Sequence, residues 1–223
     1  MHMPRTIGFV VLALGLASSI VAPSAEAMEN EFSIYGGIQE SPHSTVDFTD
    51  ANGASTRFRA GWDGLSFEMP PYYGFRYTRW TNDRFGWGVE FSHEKVYADN
   101  ATMAVSGFGA LELTDGLNIL TINAWRRWHN DSAWTPYVGA GIGVAIPHVD
   151  AVTPLGNATY GYQYTGLAGR WAAGLSYEVN DSWSIFAEYG GTYSQNDIDL
   201  DGGGSMSTDI ITNALNIGLT FSY

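Results

Sequence analysis

The C-terminal segment 209–223 alternates: Leu215, Ile217, Leu219, Phe221 and Tyr223 are apolar, whereas Asn216, Gly218, Thr220 and Ser222 are small or polar. A period of two gives a strand one apolar and one polar face. Small inward residues and a terminal aromatic predict the closing strand of a bacterial outer-membrane β-barrel. The same period predicts strands over 31–39, 72–80, 85–93, 117–128, 135–146, 163–179 and 183–193. In 135–146, for example, Val138, Ala140, Ile142, Val144 and Ile146 face away from Gly139, Gly141 and Gly143.

Connections alternate in length. Those at 81–84, 129–134 and 180–182 are short, and those at 40–70, 94–116, 147–162 and 194–208 are long. The expected fold is therefore all-β: an eight-stranded antiparallel transmembrane β-barrel with short periplasmic turns and long outer loops. Both termini fall on the periplasmic side, and Trp80, Trp87, Trp128, Trp134, Trp183 and Phe221 gather at that edge as a girdle. A soluble eight-stranded barrel closes the same way, but its outward face would be polar.

So narrow a barrel has room inside only for side chains. Inward Arg76, Glu90, Arg170, Glu178 and Glu188 are expected to pair with one another, because an isolated buried charge is costly. The N-terminus carries Arg5, an apolar run over 7–22 and Ala25-Glu26-Ala27, which predict a signal peptide at 1–27 and a barrel domain at 28–223. The run is shorter than the ~20 residues that span a bilayer as a helix.

Composition narrows the chemistry. No cysteine is present, so disulfides and thiolate sites are excluded. A formal net charge of -13 argues against nucleic acid as a partner. The acid is concentrated in the expected outer loops, where divalent cations bridging lipopolysaccharide phosphates would screen it. No phosphate loop, Ser-His-Asp spacing or dinucleotide fingerprint occurs, so neither flavin nor nicotinamide is expected.

Candidate ligands lie at the outer rim. His43, His93 and His148, with Glu94 and Asp150, suit a divalent metal with N/O ligands. Alternatively, His93 shares the parity of outward Phe91 and faces lipid headgroups. Asp197, Asp199 and Asp201 before Gly202 spell the start of a Ca2+ loop. Thr208 stands where that loop's glutamate belongs, and a solvated acidic hairpin is the competing reading. The aromatic, proline-stiffened block 61–74 is too apolar for a solvated loop and is expected to cover the barrel mouth or dip into lipid.

Several of these segments carry a resemblance. Ser41-Pro42-His43-Ser44, the block 66–74, Phe91-Ser92-His93-Glu94-Lys95-Val96-Tyr97-Ala98-Asp99, and the stretches 113–119 and 199–223 resemble the rhizobial outer-membrane lipid A oxidase family. The resemblance implies oxidation of the proximal glucosamine of lipid A to 2-aminogluconate, with dioxygen as acceptor. On that reading a loop-bound divalent metal conducts electrons, and Glu94, Asp63 or Glu68 takes the hydroxyl proton. Trp62 and Tyr72 would contact the substrate. The partners expected are outer-membrane lipid and lipopolysaccharide, with the barrel-assembly machinery engaging the last strand of a monomer. The rival reading is a non-enzymatic structural or adhesive barrel.

Overall fold

The computed structural model describes residues 29–223, so the expected signal peptide lies outside the described residues. Ten strands and one short helix follow in order: β1 (Glu29–Thr49), β2 (Ser55–Asp63), β3 (Tyr73–Trp80), β4 (Phe85–Ala98), α1 (Asn100–Ser106), β5 (Ala110–Arg127), β6 (Trp134–Val152), β7 (Ala158–Tyr162), β8 (Gly166–Asn180), β9 (Trp183–Asp199) and β10 (Ser205–Ser222). Antiparallel pairing of β1 with β10, from Glu31↔Ser222 to Thr49↔Ser205, closes the barrel.

The ring has eight positions, because β2 and β7 are upper continuations of β3 and β8. Between β1 and β4, the lower wall is β3 (Tyr73↔His93) and the upper wall is β2 (Asp63↔Tyr97). On the opposite side, β6 pairs first with β8 and then, from His148↔Tyr162 upward, with β7. The strand expected over 163–179 thus divides around residues 163–165.

The four long outer loops are largely strand. Within 40–70, 94–116, 147–162 and 194–208, the wall continues well past the apolar belt. Its polarity inverts there. In β10, outward residues pass from apolar Leu219, Ile217, Leu215 and Ile211 to Asp209 and Ser207, while inward ones pass from Thr220 and Asn216 to Ile210 and Met206. The lower storey has lipid outside and polar groups inside; the upper storey has water outside and an apolar core. Val46, Phe48, Trp62, Leu113, Ile198 and Met206 are among the residues of that core. Along tilted strands, Ile211 to Phe221 spans roughly the 25 Å of an outer-membrane apolar band.

The lower lumen is sealed by charge. Arg76 Nε lies 3.1 Å from Glu90, and its Nη2 lies 2.9 Å from Glu188. Arg170 Nε and Nη2 reach the same two carboxylates at 2.7 and 2.8 Å. Tyr35 and Tyr137 donate their hydroxyls to Glu90 and Glu188 at 2.5 and 2.9 Å, and Asn123 donates to Glu90 at 3.0 Å. The Arg76 guanidinium also lies 4.1 Å from the centre of the Trp125 ring. Aromatic rings fill the lumen against glycines on neighbouring strands: a Cβ on Gly74 would collide with the Tyr35 ring, and one on Gly218 with Phe186.

Two sequence expectations are corrected here. Glu178 is exposed near the end of β8 and does not join the quartet. Trp80 is buried in the lumen, where the Arg127 guanidinium sits 4.0 Å from its ring, so it is not part of the girdle. Trp87, Trp128, Trp134, Trp183 and Phe221 are exposed as expected. Arg127 anchors a second cluster that the sequence did not suggest, with Glu29 at 2.6 Å and Glu31 at 3.2 Å.

Replacing Arg170 by Met leaves two buried carboxylates sharing one guanidinium and should cost about 3–5 kcal/mol. Adding Glu188→Gln should recover part of that loss. Urea unfolding in micelles, followed by heat-modifiable gel migration, measures both; a single-variant loss below about 1 kcal/mol would rule out the quartet as a stabilising unit. Removing Phe221 to Tyr223 takes the Phe221↔Trp183 and Phe32↔Phe221 pairs from the closing seam. The truncated chain should fail to reach the outer membrane in fractionated cells, and a normal heat-modifiable band there would contradict this.

Candidate functional site

The handover from β2 to β3 interrupts the wall between β1 and β4, and segment 64–72 covers the interruption. The Gln39 backbone N–H donates to Ser66 Oγ at 2.8 Å, and Ser66 Oγ donates back to the Gln39 carbonyl at 3.1 Å. The Gln39 side chain accepts from the Lys95 N–H at 2.9 Å and donates to Ser41 Oγ at 3.1 Å. A single buried amide thereby links β1 to β4 where a strand would otherwise lie. The Tyr72 N–H closes the segment on the Ser66 carbonyl at 2.8 Å.

The tip of the segment is apolar and exposed: Phe67 is 76% and Met69 81% accessible, at the level where β3 begins. This places the block on the flank of the barrel at the outer margin of the lipid belt. Of the two placements expected for it, the structure favours dipping into lipid over covering the mouth.

Above segment 64–72, His43 and Asp99 converge over Gly61. A Cβ at Gly61 would collide with the Asp99 carboxylate and crowd His43 Nε2. Asp99 caps α1, accepting from the Thr102 N–H at 2.7 Å, and Thr102 Oγ1 accepts from the Gly61 N–H at 2.8 Å. The Thr102 N–H holds the Asp99 carboxyl below its ordinary range, and the nearby His43 contributes in the same direction. His43 is exposed and Asp99 half-buried, so an imidazole and a carboxylate lie near one another at the outer face.

His93 points outward, as its parity predicts, but it is covered. Its ring stacks on Tyr73 at 5.0 Å, and Nδ1 lies 3.0 Å from Asn118 Oδ1. Glu94 points the other way, into the lumen. It accepts from Ser92 Oγ at 3.0 Å and Thr192 Oγ1 at 2.8 Å. Asp63 and Glu68 are exposed outside, so the three candidate carboxylates stand on opposite sides of the wall.

Both substrate-contact candidates lie inside the wall. Trp62 belongs to the upper core and donates its indole N–H to Ser44 Oγ at 2.8 Å. Tyr72 is buried beside Tyr35, with ring centres 6.3 Å apart. Neither presents a face to lipid.

The metal candidates do not assemble. His148 lies on another face, between Tyr160 and Tyr162 at ring distances of 4.4 and 4.7 Å. Asp150 follows on that face, directly opposite Glu112 of β5. Asp197 and Asp199 are exposed along the straight end of β9, and Asp201 lies in the following turn. A strand spreads alternate carboxylates along its face, whereas a calcium loop must wrap them around one ion. Among the described residues, no group of three or more His, Cys, Asp or Glu is placed to hold a metal.

The sequence reading missed Gln39, Ser66, Asn118 and the N-cap role of Asp99. Only Asp99 carried a local signal, an Asp directly before a helix-permissive run. The others matter through partners distant in sequence.

A profile described as "Outer membrane protein beta-barrel domain" matches residues 9–223. No curated protein matches the sequence. Among solved structures, the outer membrane protein AlkL in lipid bilayers is 12% identical over 93% of this chain and 97% of its own, with a TM-score of 0.54. Neisserial surface protein A is also 12% identical, over 88% and 97%, with a TM-score of 0.47. Ail, the attachment invasion locus protein of Yersinia pestis, is 13% identical over 84% and 97%, with a TM-score of 0.38. At these identities, the likeness to AlkL speaks to fold alone. The profile match over nearly the whole chain, together with the closed barrel and its lipid-facing belt, places this chain in the outer-membrane protein β-barrel family and in the bacterial outer membrane.

Proposed function

We propose that the protein acts on lipid A in the outer leaflet, oxidising its proximal glucosamine to 2-aminogluconate with dioxygen. One observation carries this reading: segments that resemble the lipid A oxidase family, far apart in sequence, converge on one patch. Ser41 to Ser44 lie in the β1 bulge, Ser66 bonds Gln39, Tyr73 pairs with His93, and Asn118 bonds His93. The patch sits at the height of an outer-leaflet headgroup, beside the apolar tip of segment 64–72.

The reaction removes two electrons and two protons from C1 and its hydroxyl and passes them to dioxygen, which leaves as hydrogen peroxide, while the sugar becomes a lactone that water opens. His43, exposed over Gly61 with Asp99 nearby, is the group suited to take the hydroxyl proton. Glu94 faces the lumen and is not assigned that role. His43, His93 and His148 each have separate surroundings and do not form one ligand set, so no step is assigned to a metal. The sealed lumen disfavours solute conduction as an alternative.

Mass spectrometry of lipid A from deletion and complemented strains tests the reading. Deletion should abolish the aminogluconate species, and the wild-type gene should restore it. His43→Ala should lower product about 10²-fold without changing the amount of heat-modifiable barrel. Lipid A unchanged by deletion would reject oxidation and favour the structural or adhesive reading.

A further inference from the structure

The lipid-facing belt has a gap directly below this patch. On β1 the outward residues Phe32, Ile34 and Ile38 are large, but Gly36 between them has no side chain. Gly36 lies between Tyr73 of β3 and Ile217 of β10. The result is a groove of about 450 Å³ across three strands, walled by Ile34, Tyr73, Phe75, Ile217 and Leu219.

Its upper lip belongs to the patch. A Cβ on Gly36 would lie 3.3 Å from the Tyr72 carbonyl, the last residue of the covering segment. Tyr73 both walls the groove and stacks on His93 at 5.0 Å. The outer margin of the belt is marked by Glu40 opposite Asn213. At a rise of ~3.3 Å per residue along tilted strands, Gly36 lies about 10 Å below that margin, within the outer leaflet.

We propose that this groove seats one acyl chain of the lipid A molecule whose headgroup rests against segment 64–72 and His43. The inference rests on the proposed lipid A reading for the identity of the headgroup. The occupant follows from position: the groove opens only to the hydrocarbon layer and is continuous with the belt that lipid already covers. A chain held there fixes its headgroup beside the patch, so the lipid is oriented by its tail before chemistry at its sugar. Outward alanines elsewhere in the belt, such as Ala124, Ala140 and Ala187, still carry a Cβ, whereas Gly36 leaves the groove floor bare between large neighbours on three strands.

The test is native mass spectrometry of the full-length barrel, purified in detergent and incubated with lipid A or with phosphatidylethanolamine. The wild type should retain one lipid A and at least fivefold less phosphatidylethanolamine. Gly36→Leu fills the groove from its floor, and Ile217→Trp fills it from the facing strand. Each should reduce lipid A retention at least fivefold while heat-modifiable folding is preserved. If Gly36→Leu does not fold, Ile217→Trp decides. Unchanged retention in a folded variant, or equal retention of the two lipids by the wild type, would overturn the proposal. Lipid A retained by the wild type but unaltered in air would instead reject oxidation and leave the groove intact.

Discussion

Two guanidiniums and two carboxylates cancel inside the lower barrel, and the rest of the structure depends on that cancellation. Lipid outside forces apolar side chains outward, so polar groups must point inward. An eight-stranded lumen cannot hydrate them freely. Arg76 and Arg170 each contact both Glu90 and Glu188, and Tyr35, Tyr137 and Asn123 occupy further carboxylate lone pairs. With its charges satisfied internally, the centre needs no water column. The quartet closes the lumen at mid-height, and a cavity of about 330 Å³ lies below it among Glu31, Trp80, Trp125 and Arg127.

The same rule, applied to a different solvent, explains the upper storey. Once the wall leaves the lipid, water lies outside and the apolar side chains turn inward. Hydrogen bonding continues from one storey to the next along β6, β9 and β10 in unbroken alternation, and along β1 across a bulge at residues 41–44 that moves the inward face from Tyr35 and Gln39 to Val46 and Phe48. Where the wall does break, at β2 and β3, a buried glutamine and a serine supply the missing links.

Much of the fold was legible because lipid-facing alternation is strong: Ile185, Ala187 and Tyr189, or Ile217 and Leu219, are outward as predicted. The upper strands were read as loops because their apolar residues, such as Phe58 and Trp62 between Arg57, Arg59 and Asp63, hold the opposite phase among many charges. Period alone would have revealed them. Four of five lumen charges were assigned correctly from parity, and Glu178 failed because it lies beyond the sealed zone. The site was less legible. Parity placed Glu94 and His93 on opposite faces, but only the pairing register shows that Asn118 and Tyr73 cover His93. The nearness of His43 to Asp99 depends on Gly61 of β2 lying between them, which no local spacing reveals.

The continued wall also sets a height. From Glu40 to the end of β1 at Thr49, tilted strand at ~3.3 Å per residue rises about 20 Å above the lipid margin. The hairpin tips at Asp50 and Asp201 are therefore held on a stiff collar packed around its own core. A flexible loop would lose conformational entropy on meeting anything from outside the cell. This collar meets it already ordered, presenting a fixed acidic crown at a constant distance from the membrane.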